Sequence, residues 1–538
     1  MASIGRATAI VLFICLAGGV GARIYFGPMH TLEAMGACLK GDINLDDPLP
    51  FLQARYGGLT LGIASSGGGS RAAYLTAAVM RNIRSEGTKV LLGDADPSSK
   101  SLLDQISAVS SVSGSSLASG YFVLNGEALR AADARSAQWS DYLDKMAIEY
   151  RTRQWFHMLA MDPRLWGRLL FTDYNRGVLA RDDYNGLLFN DATLAQLPPK
   201  PALYLNAFDV ANHVRFVFSR HYIDTVHFQP KDWWGVLGAP QTLLSENDLA
   251  FTRIEPASVR LADAVYASSA FPIAYPNLPL KHCGSKILFQ GGEIFLADGG
   301  LADNSGLLTL LSQFRSEFNE QSERSRVVVI AIDASVDRID TDGTRFQQTG
   351  VEERYAWENT IVGHATEAIY GAIALLQDLG WTFVESTDVV TDQLSANWEM
   401  ELTKHSGQCG AVSKASWHDL FETGKLAMRP LVIRLGLRDV IDPDFASEYG
   451  ARLNSDPDLG ELLSANSIDD GLTTLSKHLR RPLQSIPTDF TLSLSDRRLL
   501  DLTAYLLVHG KLAAAVQRWN AIDRSVVSST PPTITCPH

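Results

Sequence analysis

Five cysteines are scattered through 538 residues, at 15, 38, 283, 409 and 536. No two of them form a CxxC or any other metal-ligand spacing, which argues against a zinc module or a dithiol redox centre and implies no metal. Basic residues are also under-represented, 47 against 60 acidic, for a net charge of −13. That balance argues against nucleic acid as a partner and against general attraction to anionic lipid, so any membrane contact must be hydrophobic or local. Repeats and long low-complexity segments are absent. None of the 12 histidines stands in a signature that would pair it with a nucleophile. What the chain does have is 46% hydrophobic residues, ample for one large core or two smaller ones.

An apolar run near the start, Ala7 to Leu16, is preceded by Arg6 and followed by small residues ending at Ala22. It falls short of the ~20 residues of a membrane span. The order is that of a secretory signal with Ala22 at the cleavage position, and counting Gly18 to Ala22 as membrane residues gives an uncleaved anchor instead. Both readings of residues 1–22 imply an exported or membrane-associated protein, with a cytosolic start the remaining alternative. Cys15 lacks the small residues that precede a lipidated cysteine. Without Cys15, four cysteines remain for disulfides, whose pairing the sequence does not fix.

Strand-like runs alternate with helical patterns: LTLGIA (59–64) before RAAYLTAAVMRNIRSE (71–86), then QISAVSSV (105–112) before GSSLASGYFVL (114–124). PALYLNAFDV (201–210), RVVVIAID (326–333) and PLVIRLGL (430–437) follow. This predicts an α/β protein with a mostly parallel central sheet and chemistry at the carboxyl ends of its strands. The polar stretches 336–358 and 453–472 read as surface connections or insertions, and 499–519 as a helix docked on the core. The aromatic-rich segments 153–180 and 233–236 read as core anchors.

Three short motifs carry chemistry. Residues 63–73, IASSGGGSRAA, run a strand into three consecutive glycines and a helix. Such a run costs backbone entropy and is useful where peptide N–H groups must approach a phosphate or an oxyanion. Gly67, Gly69 and Ala72, with Asp94 further on, also fit a dinucleotide fingerprint, whereas no Lys-Ser/Thr pair closes a P-loop. Residues 110–120, SSVSGSSLASG, place Ser113 between a strand end and a helix, as in a nucleophile elbow with serines in place of both outer glycines. Ser116 offers a competing frame, and plain helix capping is the simplest alternative. Finally, LADGGLADNSG (296–306) ends an apolar run on Asp298 and two glycines, suited to orienting a nucleophile and equally to an ordinary turn.

In this order, Ser66-Gly67-Gly68-Gly69-Ser70-Arg71-Ala72, Ser111-Val112-Ser113-Gly114-Ser115 and Asp298-Gly299-Gly300 resemble the patatin-like phospholipase family and its cytosolic phospholipase relatives. ASSAFPIAYP (267–276) looks like a further block of that family. The likeness covers about residues 57–310, with weaker similarity reaching SIPTDFTLSLSD (485–496). It implies a patatin-like three-layer α/β fold over 57–310, with residues 311–538 adding the remaining strands and a helical C-terminal region. It also implies acyl-ester hydrolysis in a lipid or phospholipid, no cofactor, and work at a membrane surface. Position by position, Ser113 is the implied nucleophile, Asp298 its base, and the N–H groups of Gly67, Gly68 and Gly69 the oxyanion hole. Arg71 orients the loop or meets a head-group phosphate.

A Ser-His-Asp hydrolase would need a histidine, and His364 reads as a surface or packing residue. A dinucleotide oxidoreductase uses only the first motif. A lipid-binding protein that has lost catalysis would not need Ser113 and Asp298 intact.

Overall fold

The computed structural model describes residues 35–37, 59–85, 101–150, 152–154, 174–210, 214–220, 223–225, 254–272, 275–281, 293–310, 326–335, 431–454, 456–468, 471–486 and 491–517. Outside them lie the expected signal or anchor, Asp94, 233–236, 336–358, His364 and most of the 153–180 segment.

Nine strands form one sheet: β1 (Leu59–Ser65), β2 (Ile106–Val112), β3 (Ala202–Asp209), β4 (Val214–Phe218), β5 (Ile223–Thr225), β6 (Leu278–Lys281), β7 (Glu293–Asp298), β8 (Arg326–Asp333) and β9 (Leu431–Gly436). The order is β5-β4-β3-β2-β1-β8-β9, with β7 joining β3 and β6 joining β7. Strands β9, β8, β1, β2 and β3 pair in parallel. The β4, β5, β6 and β7 pairings are antiparallel. The parallel centre matches the sequence: all seven residues of ISAVSSV are buried, and β8 from Val328 on is a buried run with no polar alternation until Asp333.

The longer helices are α1 (Gly69–Arg84), α2 (Ser115–Leu124), α3 (Ala137–Met146), α4 (Arg176–Tyr184), α5 (Leu261–Ser269), α6 (Phe445–Leu453), α7 (Pro457–Ala465), α8 (Leu475–Ser485) and α9 (Leu494–Leu506). Helix α1 is the central one. Its small and apolar residues Ala72, Ala73, Leu75, Ala77, Val79, Met80 and Ile83 are buried around its circumference, because α2, α3 and α9 all pack against it.

The stretch 453–472 is more ordered than a surface connection. Asp456 accepts the N–H of Asp458, Pro457 opens the first turn, and Leu459 and Leu463 bury one face, so a helix forms. Helix α9 continues as a π-helical turn over Leu507–Leu512. The span 494–517 is long and apolar enough to cross a membrane, yet most of its apolar window is buried inside the protein, the docking that 499–519 predicts.

Candidate active site

Two strand ends meet on one side of β3. Strand β2 pairs with β3 as far as Val112 opposite Asn206. The next residue of β3, Ala207, faces Asp298, the last residue of antiparallel β7. Residue 113 and Asp298 therefore leave their strands about one residue step, ~3.3 Å, apart along β3.

Ser113 sits at φ 56°, a strained value for a residue with a Cβ and the signature of an elbow between strand and helix. Its Oγ donates to Asp298 Oδ2 at 2.7 Å. Its N–H is held by Ser268, by the carbonyl and by Oγ, both at 3.1 Å. The serines in place of the outer glycines are satisfied within the fold. Ser115 Oγ spans the turn, donating to Ser65 O at 2.9 Å and Val112 O at 2.8 Å, while Ser111 Oγ accepts from Ser116. Ser116 itself is buried in α2 against Ser268 Oγ at 2.8 Å, facing the network behind the elbow and not Asp298.

Asp298 is almost wholly buried. Its second oxygen accepts the N–H of Gly300 at 2.8 Å. Burial raises its pKa to about 6, against the opposing pull of the bonds from Ser113 and Gly300. The carboxylate thus sits near the range where a base is effective at neutral pH.

The glycine loop enters α1 beside this pair. Gly68 and Gly69 take φ of 144° and 58°, values that side chains resist. The N–H of Gly67 donates to Asn304 O at 2.9 Å. Those of Gly68 and Gly69, at the helix start, have no acceptor among the described residues. The loop is anchored from β8: Ser66 N–H donates to Ile332 O at 2.9 Å, and Ala334 N–H to Ser66 Oγ at 2.9 Å. Arg71 Nη1 donates to Ile486 O at 3.3 Å, so this side chain leans on the C-terminal region.

The site therefore gathers Ser113, Asp298 and the loop Gly67–Gly69, with Arg71 directed elsewhere. Sequence reasoning missed Ser268, Asn304 and Asn206. Asn206 lies behind the elbow, donating to Ser110 Oγ and Ser111 O at 2.9 Å and accepting from Thr309 Oγ1. Its carbonyl accepts from Ser268 Oγ at 2.6 Å. The one signal for Ser268 was the ASSAFP block. Among the described residues, two histidines occur, His478 and His509; His509 Nε2 lies 3.1 Å from Ser85 Oγ and Nδ1 3.5 Å from Asp456, neither in contact with Ser113. His213, His221 and His282 fall outside these residues. No cluster of three metal-ligating side chains occurs among the described residues.

No curated protein matches the sequence. Two solved structures of human GIVD cytosolic phospholipase A2 are similar in outline. The one without a named ligand has 12% identity and a TM-score of 0.44, and the complex with methyl gamma-linolenyl fluorophosphonate 13% and 0.40. Each match covers 88% of this chain and 62% of the other, so the chain spans about three fifths of those proteins. The family model described as patatin-like phospholipase matches residues 63–311, a span that holds the glycine loop, Ser113 and Asp298 together. Over residues 63–311, then, this chain is similar to the patatin-like phospholipase family.

Proposed function

We propose that this protein is a serine lipid acyl hydrolase of the phospholipase A or lysophospholipase type, working through a Ser113–Asp298 dyad. The reading is carried by the 2.7 Å hydrogen bond from Ser113 Oγ to a buried carboxylate inside the patatin-like domain. A serine hydroxyl is a weak nucleophile until a base takes its proton. Asp298 takes it as Oγ attacks the ester carbonyl. The C–O π pair moves to the oxygen, and the N–H groups of Gly68 and Gly69 receive the oxyanion while Gly67 and Ser66 hold the loop still. Collapse of the intermediate breaks the bond to the leaving alcohol, which is protonated by Asp298. Water then attacks the acyl-serine with Asp298 again as base, releasing the fatty acid and restoring Ser113. The two amides supply much of the rate, since one such donor is typically worth about 100- to 1,000-fold.

The substrate is an ester in a lipid or phospholipid, met at a membrane surface. The N-terminal apolar segment would export or anchor the chain. A dinucleotide reading of the loop leaves the dyad without a purpose.

A serine-reactive fluorophosphonate tests the assignment. One label is expected, on Ser113, absent from Ser113→Ala, whose hydrolysis of a lipid panel falls by a factor on the order of 10⁶ with an unchanged circular dichroism spectrum. A label on Ser116 would overturn the elbow. A wild type that binds lipid yet hydrolyses no ester in the panel would point to a lipid-binding protein.

A further inference from the structure

Two glycines of the site are not explained by their backbone. Gly68 and Gly69 take φ values that side chains resist, but Gly67, which opens the loop, and Gly300, in the turn behind Asp298, do not fall in that region. Both are buried, and both leave room for one and the same side chain. A Cβ on Gly67 would meet Asn304 Oδ1 well inside contact distance, with Asn304 Cγ at 3.3 Å and Ser113 Cβ at 3.2 Å. A Cβ on Gly300 would lie 2.9 Å from that same Oδ1 and 3.1 Å from Asp298 Oδ1. The amide of Asn304 therefore fills the space between the glycine loop and the turn of the base, close to both members of the dyad.

Asn304 is itself held in place. Its carbonyl accepts the N–H of Gly67 at 2.9 Å, so main chain and side chain of one residue both address the first glycine of the loop. The turn that carries it is tied by its neighbour Asp303, whose Oδ1 accepts the N–H groups of Ser305 at 3.0 Å and Gly306 at 3.1 Å, and whose Oδ2 accepts that of Leu308 at 3.1 Å. Arg215 of β4 lies 3.6 Å from Asp303 and is buried with it. The N–H of Asp303 in turn donates to Gly299 O at 3.0 Å, which ties this turn back to the residue after the base.

Three glycines have no side chains with which to fix their own position. The rate that oxyanion donors supply depends on their placement, and a displacement of about 1 Å can cost roughly 100-fold.

We infer that Asn304 is a positioning residue for hydrolysis, its side-chain amide a wedge that sets the glycine loop against the Ser113–Asp298 pair. This rests on the lipid-hydrolase reading above and extends it to a residue that exchanges no proton and acts through the loop.

A double-mutant cycle on the full chain tests the wedge, read by urea unfolding and by kinetics on a soluble short-chain ester. In the wild-type background Gly67→Ala must displace the amide. It is expected to lower the urea midpoint and to cut kcat about 100-fold at nearly constant KM, since the loop acts on the transition state. Asn304→Ala is expected to lower kcat by a similar factor, again at constant KM, and to slow fluorophosphonate labelling of Ser113 in parallel. Once Asn304 is truncated, the methyl added by Gly67→Ala falls in vacated space, so there it should leave midpoint and kcat unchanged or raise them. Its crowding of Ser113 Cβ is common to both backgrounds and cancels. Asn304→Ser, which also lacks the amide, should relieve Gly67→Ala in the same way and serves if Asn304→Ala does not fold. An equal cost of Gly67→Ala in the two backgrounds, or an Asn304→Ala enzyme within about threefold of wild type in kcat, would overturn the wedge. A wild type that hydrolyses no ester and takes no label would defeat the hydrolase reading; the urea cycle would then decide the wedge alone, coupling leaving it standing and additivity sinking it.

Discussion

Asp298 shows how a single burial sets a chemistry. Placed in water it would be a feeble base; enclosed between β3, the elbow and its own glycine turn, it titrates at about 6. A carboxyl whose pKa is higher folded than unfolded binds more protons in the folded state between the two values. It therefore favours folding in acid and opposes it above pH 6, by about 3 kcal/mol at neutrality. Hydrolysis should accordingly rise through an apparent pKa near 6 to a plateau. Asp298→Asn should abolish turnover and yet stabilise the fold in urea at pH 7 by up to about 3 kcal/mol, the gain vanishing by about pH 4. A variant less stable than wild type at pH 7 would show that the carboxylate is not strained. Ser113 and Asp298 were legible because strand end, turn and small residues are local signals. Ser268 and Asn304 were not, because their roles arise from backbone groups 155 residues away in the first case and across the glycine loop in the second.

At the level of elements, the site depends on two helices starting in contact. A Cβ at Gly114 would overlap the carbonyl oxygen of Gly69, so α1 and α2 approach as closely as they do only because residue 114 has none. Gly114→Ala must push the first turn of α1 away from the elbow. We expect a helical spectrum near that of wild type, an unfolding free energy lowered by the ~1–3 kcal/mol typical of overpacking, and a kcat reduced at least 100-fold through the displaced oxyanion donors. Unchanged kinetics in this variant would mean the loop is not where catalysis occurs. The parallel strands were readable from short strand-like runs of β-branched and small residues alternating with helical patterns. Helix α7 was not, since its cap Asp456 and two buried leucines are embedded in a stretch rich in Asp, Asn, Ser and Gly. The head-to-head meeting of β2 and β7 could not be read either, being a matter of register on a third strand.

On the scale of the whole molecule, the span matched by the family model leans on residues beyond it. Strand β8 lies beyond residue 311, yet it covers β1 along its full length and binds Ser66 at the foot of the glycine loop. The region after β9 holds Ser70 and Arg71. A chain ended at residue 311 should expose the β1 edge, aggregate, and show no esterase activity, and adding residues 312–538 as a separate fragment should recover some of it. A soluble, active 1–311 fragment would refute this dependence.

The bond from Ala334 to Ser66 joins residues 268 positions apart. At ordinary rates of translation that separation takes on the order of tens of seconds to synthesise. During this time the nascent chain has its nucleophile strand and its first helix but an open edge where β8 will lie. Assembly of the site is thus a late event in biosynthesis: an unfinished polypeptide carries Ser113 without the strand that clamps its glycine loop.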